Sequence, residues 1–71
     1  MYATPISVLM LGARANNCLL RRGISTIGAL MRLTAEELMN IRNLGLKTYD
    51  EIVDALERAG YDVERYRRMD R

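Results

Sequence analysis

The residues whose types and spacing could do chemistry in this 71-residue chain lie in two stretches. The first is Ile41-Arg42-Asn43-Leu44-Gly45-Leu46-Lys47-Thr48. Gly45 can adopt a positive φ and lets another backbone come close, an approach that a side chain would block. After it, Tyr49, Ile52, Val53 and Leu56 fall at i, i+3, i+4 and i+7, the apolar stripe of an amphipathic helix. The first amides of such a helix have no partners inside it and point outward. That end suits a phosphate, and Lys47 beside it adds a point charge. Taken alone, the pattern reads first as a plain corner between two helices, and the rest of the sequence favours the phosphate reading.

The second stretch is Arg14, Asn17, Cys18 and Arg21, again at i, i+3, i+4 and i+7, which makes one continuous polar stripe on a helix. By itself Arg14 reads as a surface partner for a carboxylate. Cys18 has no histidine to activate it, because the sequence has none. One cysteine and no histidine also exclude a zinc site of the usual kind. Neither a paired acid and base nor a nucleotide-binding loop is present, so the protein is not expected to be an enzyme and no cofactor is expected.

The elements that must hold these stretches follow from caps and periodicity. A helix runs from about Ala13 to Arg22, preceded by Gly12 and closed by Gly23, with Ala15, Leu19 and Leu20 as its buried face. Ser25 or Thr26 caps a short helix in which Ile27, Leu30 and Met31 share a face. Thr34 and Glu37 form a capping box for another short helix before the glycine turn. The helix after that turn runs to about Ala59 and stops at Gly60. Pro5 to Leu11 reads as an extended strap over the helices. A faint echo relates Leu20–Thr26 to Ile41–Thr48, each an apolar residue, two polar residues, a glycine and a threonine. Two such corners back to back predict an all-α, compact four- to five-helix domain with helix-hairpin-helix turns and no sheet. Its expected core is Leu19, Ile24, Ile27, Leu30, Leu38, Ile41, Leu44, Ile52, Val53 and Leu56.

Asp50, Glu51, Asp54 and Glu57 read as a solvated face with an Asp54–Arg58 pair. The segment from Tyr61 to Arg71, with four arginines and three acids, reads as solvated polypeptide with at most a loose helical turn. Domain limits follow: an arm or linker end at 1–5, the folded domain at 6–63, and an arginine-rich tail at 64–71.

Composition narrows the partners. The net charge is +2 with a pI near 9.0, mildly basic, so a nucleic-acid surface must be local and built from a few placed groups. Ten of the eleven cations are arginine, favoured where a planar fork meets phosphate or carboxylate. Phe and Trp are absent, which leaves Leu, Ile, Val, Met and Tyr to fill the core. A single cysteine fits a reducing compartment, and no apolar run approaches a membrane span. The expected location is cytoplasmic, without membrane partners.

Together, Arg14-Ala15-Asn16-Asn17-Cys18-Leu19, Gly23-Ile24-x-Thr26-Ile27-Gly28-x-Leu30, Thr34-x-x-Glu37-Leu38 and Arg42-Asn43-Leu44-Gly45-x-Lys47-Thr48-x-x-Glu51-Ile52 strongly resemble the C-terminal domain of the bacterial RNA polymerase α subunit. The resemblance covers roughly Ile6 to Val63 and implies that family's SAM-domain-like helical architecture. It also implies binding to the minor groove of A/T-rich upstream promoter DNA and docking of transcription activators. Carried over by position, it implies DNA contacts from Arg14, Asn17, Cys18, Gly45, Lys47, Thr48 and Glu51. Arg14 would enter the groove, Asn17 would hydrogen-bond there, the Gly45–Thr48 turn would hold phosphate, and Glu51 would orient Arg14 or another arginine. Other polymerase subunits are implied as partners through a longer parent protein.

The sequence departs from the family at Leu46 and Leu20, where lysine or arginine is usual, and both changes remove expected phosphate contacts. Val8 and Met10 stand where acids often face the σ factor. An apolar patch of Val8 and Met10, with Ile6 or Tyr2, is therefore expected to meet a different partner, such as a second copy in a weak homodimer; the alternative is that these side chains turn inward. A protein-interaction domain of the same fold, with little DNA affinity, is the competing function.

Overall fold

Polar caps and left-handed residues divide the protein into short helices in the computed structural model, which describes residues 3–68. The order is a 3₁₀ turn at Ile6–Leu9, then α1 (Ala13–Arg21), α2 (Ile27–Met31), α3 (Ala35–Met39), α4 (Gly45–Arg58) and α5 (Glu64–Arg67). Thr26 caps α2 by accepting from the Ala29 amide at 3.1 Å. Thr34 and Glu37 form the reciprocal capping box of α3, at 3.0 and 2.8 Å. Gly23 and Gly60, at φ 85° and 96°, turn the backbone out of α1 and α4. Among the described residues there is no sheet, only an isolated bridge between Pro5 and Thr26.

The segment expected to be an extended strap is instead a 3₁₀ turn. Ile6 and Leu9 are both buried, and three residues per turn is the conformation that brings i and i+3 to one side. Hydrogen bonds from Ile6 N to Ser25 O (3.0 Å) and from Ile27 N to Thr4 O (2.8 Å) pin it beside the link between α1 and α2. Val8 and Met10 face solvent, at 52% and 88% exposure, so the apolar patch excludes Ile6; Tyr2 lies outside the described residues.

Helix α4 is the centre of the domain. It packs against α1, α3 and the 3₁₀ turn, and buries Thr48, Tyr49, Ile52, Val53, Ala55 and Leu56. Every residue expected in the core is buried, joined by Ile6, Leu9, Ala15, Cys18, Tyr49, Ala55, Val63 and Tyr66. Leu20 does not follow: it is 48% exposed. Ala15, Cys18 and Leu19, at i, i+3 and i+4, form the inner face of α1, and the next residue is swung about 100° away from it.

The segment read as solvated tail folds back on the domain as α5. Tyr66 is 1% exposed, and its hydroxyl donates to Leu33 O at 3.0 Å while accepting from Arg65 Nη2 at 2.9 Å. Arg65 also donates to the Met31 carbonyl and lies over the Tyr66 ring. Tyr49 Oη on α4 donates to Tyr66 O at 2.7 Å, so α4 and α5 share a buried bond. Arg67 bonds Asp54 (2.7 Å) and Glu57 (2.6 Å), taking the place of the expected Asp54–Arg58 pair. The bonds to Asp54 and then Glu57 raise the already high pKa of this guanidinium, and it stays charged. The last residues of the expected tail, 69–71, lie outside the described residues.

Candidate nucleic-acid interface

The turn into α4 has a conformation set by two residues at positive φ, Asn43 (64°) and Gly45 (75°), with Leu44 between them. Leu44 cannot cap, and its side chain makes no bond to the first amides of α4. A Cβ placed on Gly45 would meet nothing within 4 Å, so the surface there is open and the glycine is needed for its φ. A fourteen-residue helix thus presents its amide end without a side-chain cap from Leu44, with Lys47 exposed beside it.

The start of α1 is built differently. Gly12 N donates to Glu51 Oε2 at 2.7 Å, so a carboxylate from α4 stands at the N-terminus of α1. Among the described residues Glu51 makes no ion pair with an arginine, and its carboxylate is taken up by this bond. An anion at a helix start gains from the helix dipole and from an otherwise unpaired amide, and it meets both here. A Cβ at Gly12 would lie 3.2 Å from that oxygen, so the glycine also makes room for the carboxylate. One bond therefore fixes the helix that carries Arg14 to the helix that begins at Gly45.

A second tie links the other end of the site. Cys18 is only 9% exposed, and its Sγ lies 3.5 Å from Asn43 O, a weak thiol hydrogen bond to the turn. Thr48 is likewise buried, at 6%. Arg14, Gly45, Lys47, Thr48 and Glu51 line one open depression of about 570 Å³ together with Asn43 and Leu46. Cys18 lines the adjoining one, of about 500 Å³, with Arg21, Arg22, Ile41, Arg42 and Asn43. Asn17 lines neither; it is exposed on α1, three residues after Arg14. Asn43, whose carbonyl receives Cys18, is absent from the sequence-derived set because a backbone acceptor leaves no mark in residue type. No ion pair among the described residues involves Arg14 or Lys47.

Residues 1–58 match the family described as the C-terminal domain of the bacterial RNA polymerase alpha subunit. The protein belongs to that family. The sequence is 57% identical over 60 residues to the DNA-directed RNA polymerase subunit alpha of Rubrobacter xylanophilus, covering 84% of this sequence and 19% of that one. It is 50% identical over 58 residues to the subunit of the same name from Helicobacter hepaticus, covering 82% and 17%. For Bifidobacterium longum the figures are 44% over 62 residues, covering 87% and 19%. The sequence thus spans about a fifth of the length of these curated relatives. The family match ends at Arg58, so α5 lies outside the matched residues yet supplies Tyr66 to the core.

Proposed function

We propose that this domain is a DNA-binding transcription module that contacts the minor groove of A/T-rich upstream promoter DNA. The observation that carries the reading is the shared depression in which Arg14, free of any ion pair among the described residues, stands beside the uncapped amide end of α4 and Lys47. An A-tract narrows the minor groove and deepens its negative potential, so an inserted guanidinium reads groove shape. The amides that open α4 and the Lys47 ammonium hold the flanking phosphates. Asn17, exposed on the same helix as Arg14, hydrogen-bonds in the groove. Cys18, Thr48 and Glu51 position: two are buried, and Glu51 is committed to Gly12.

The relatives are alpha subunits of DNA-directed RNA polymerase by name. By extension this domain serves a polymerase, reached through a longer parent protein, in the bacterial cytoplasm at the nucleoid. Docking of transcription regulators, and self-association through the outward Val8 and Met10, are finer parts of the same reading. Among the described residues no helix is long and apolar enough to cross a membrane. One observation favours the competing reading, a protein-interaction domain of low DNA affinity: Leu20 and Leu46 are 48% and 49% exposed where phosphate-binding cations are expected.

Anisotropy titrations of labelled A/T-rich and G/C-rich duplexes decide between them. Wild type should prefer the A/T-rich duplex, and Arg14→Ala should lose that preference. Lys47→Ala should weaken both duplexes alike and lower the salt slope by about one unit. Equal affinity of wild type and Arg14→Ala for an A-tract would refute the mechanism.

A further inference from the structure

The depression beside the proposed minor-groove site is lined by three guanidinium groups from two separate elements. Arg21 and Arg22 stand at the end of α1, and Arg42 stands in the turn between α3 and α4. All three are exposed, and none takes part in an ion pair or a side-chain hydrogen bond among the described residues. This sets them apart from Arg65, Arg67 and Arg68, each of which is engaged with a carbonyl, a hydroxyl or a carboxylate. Complementing the negative end of α1 accounts for Arg21 and Arg22. It does not account for Arg42, which comes from another element and faces the same space.

Three like charges held around one depression of about 500 Å³ repel one another unless an anion sits among them. The floor is fixed in shape: Cys18 Sγ bonds Asn43 O there, and Ile41 forms its apolar wall. Ile41 and Asn43 also line the depression that holds Arg14 and the start of α4, so the two sites are continuous. Guanidinium forks match phosphate oxygens two at a time. A polyanion of repeating phosphates engages continuous neighbouring sites in a way that a single acidic side chain cannot.

We propose that Arg21, Arg22 and Arg42 form a second seat for backbone phosphates of the duplex that Arg14 enters, supplying cations that Leu20 and Leu46 do not. The proposal rests on the DNA-binding reading above and adds its own residues to it. These contacts hold phosphate and read no base, so they set affinity and salt dependence and leave the preference for A/T-rich sequence to Arg14.

The test is the salt dependence of binding by the 71-residue protein to an A-tract duplex and a G/C-rich duplex, with Arg21→Gln, Arg22→Gln and Arg42→Gln combined. All three side chains are exposed, so the variant should fold and melt only slightly below wild type, for the charges lost at the negative end of α1, and the corresponding triple lysine variant controls for charge. Losing at least two phosphate contacts lowers the slope of log K against log salt by about two units. The loss of affinity between about 50 and about 200 mM salt then shrinks roughly tenfold. Both duplexes should weaken alike, and the lysine variant should keep most of the slope. If wild type binds and Arg14→Ala loses its A/T preference while the triple glutamine variant keeps the wild-type slope, the phosphate seat is refuted and the minor-groove reading stands. An unchanged slope is also what a groove serving an acidic protein segment would show. If wild type binds no duplex, both fall.

Discussion

Replacing Tyr66 by alanine measures how far the segment after the family match, which ends at Arg58, belongs to the fold. Tyr66 is 1% exposed, so the substitution removes a whole aromatic side chain from the core and leaves a cavity. Truncations of that size cost about 3–5 kcal/mol. The hydroxyl is a separate contribution. It bonds Leu33 O and Arg65 Nη2 at 3.0 and 2.9 Å, and its loss in Tyr66→Phe costs about 1 kcal/mol, since water can reach both partners in part. A domain of 71 residues has a total stability of roughly 4–11 kcal/mol. Tyr66→Phe is therefore expected to lower the melting temperature by about 4–8 °C. Tyr66→Ala should remove a large part of that stability and bring the urea midpoint down far more than Tyr66→Phe does. Urea denaturation followed by circular dichroism reads both variants. Arg68→Ala serves as the control, because its 3.6 Å contact with Glu64 is exposed and contributes little. A Tyr66→Ala variant within about 1 kcal/mol of wild type would show that α5 does not help hold the fold.

Three further outcomes are expected. Glu51→Gln keeps an acceptor for Gly12 N but loses the charge at the start of α1, costing about 0.3–1 kcal/mol, whereas Glu51→Ala loses the bond as well and should melt lower still; equal melting temperatures for the two would contradict the capping role. Gly45→Ala should cost about 1–2 kcal/mol from its φ of 75° alone, since a Cβ there meets nothing, and Gly45→Asn should cost less in the same denaturation assay. Val8→Glu combined with Met10→Glu should leave stability within about 0.5 kcal/mol, both side chains being exposed, and should abolish self-association in sedimentation experiments; a wild type that stays monomeric at high concentration would remove that interface.

Much of the architecture is legible in the residues because it depends on neighbours one or two turns away. The Thr34–Glu37 box, the Thr26 cap, the glycine exits of α1 and α4 and the apolar stripe of α4 are local patterns, and each appears in the structure. The grouping of Arg14 with the Gly45–Thr48 turn is legible for a different reason: the order and spacing of the family's motifs carry it. What only the tertiary structure decides is which of several chemically equivalent partners a side chain meets. Asp54 takes Arg67, thirteen residues on, in preference to Arg58 at helical spacing, because α5 folds back across α4. Glu51 takes the amide of Gly12, thirty-nine residues away. Cys18 belongs to a polar stripe by periodicity, yet the turn after α3 covers it, while the apolar Leu20 next to that face is left in solvent. Tyr66 sits in an arginine-rich stretch whose composition reads as solvated, and the space between Leu33 and Tyr49 draws it into the core. Spacing along one helix states which residues share a face, and only packing between helices states what that face meets.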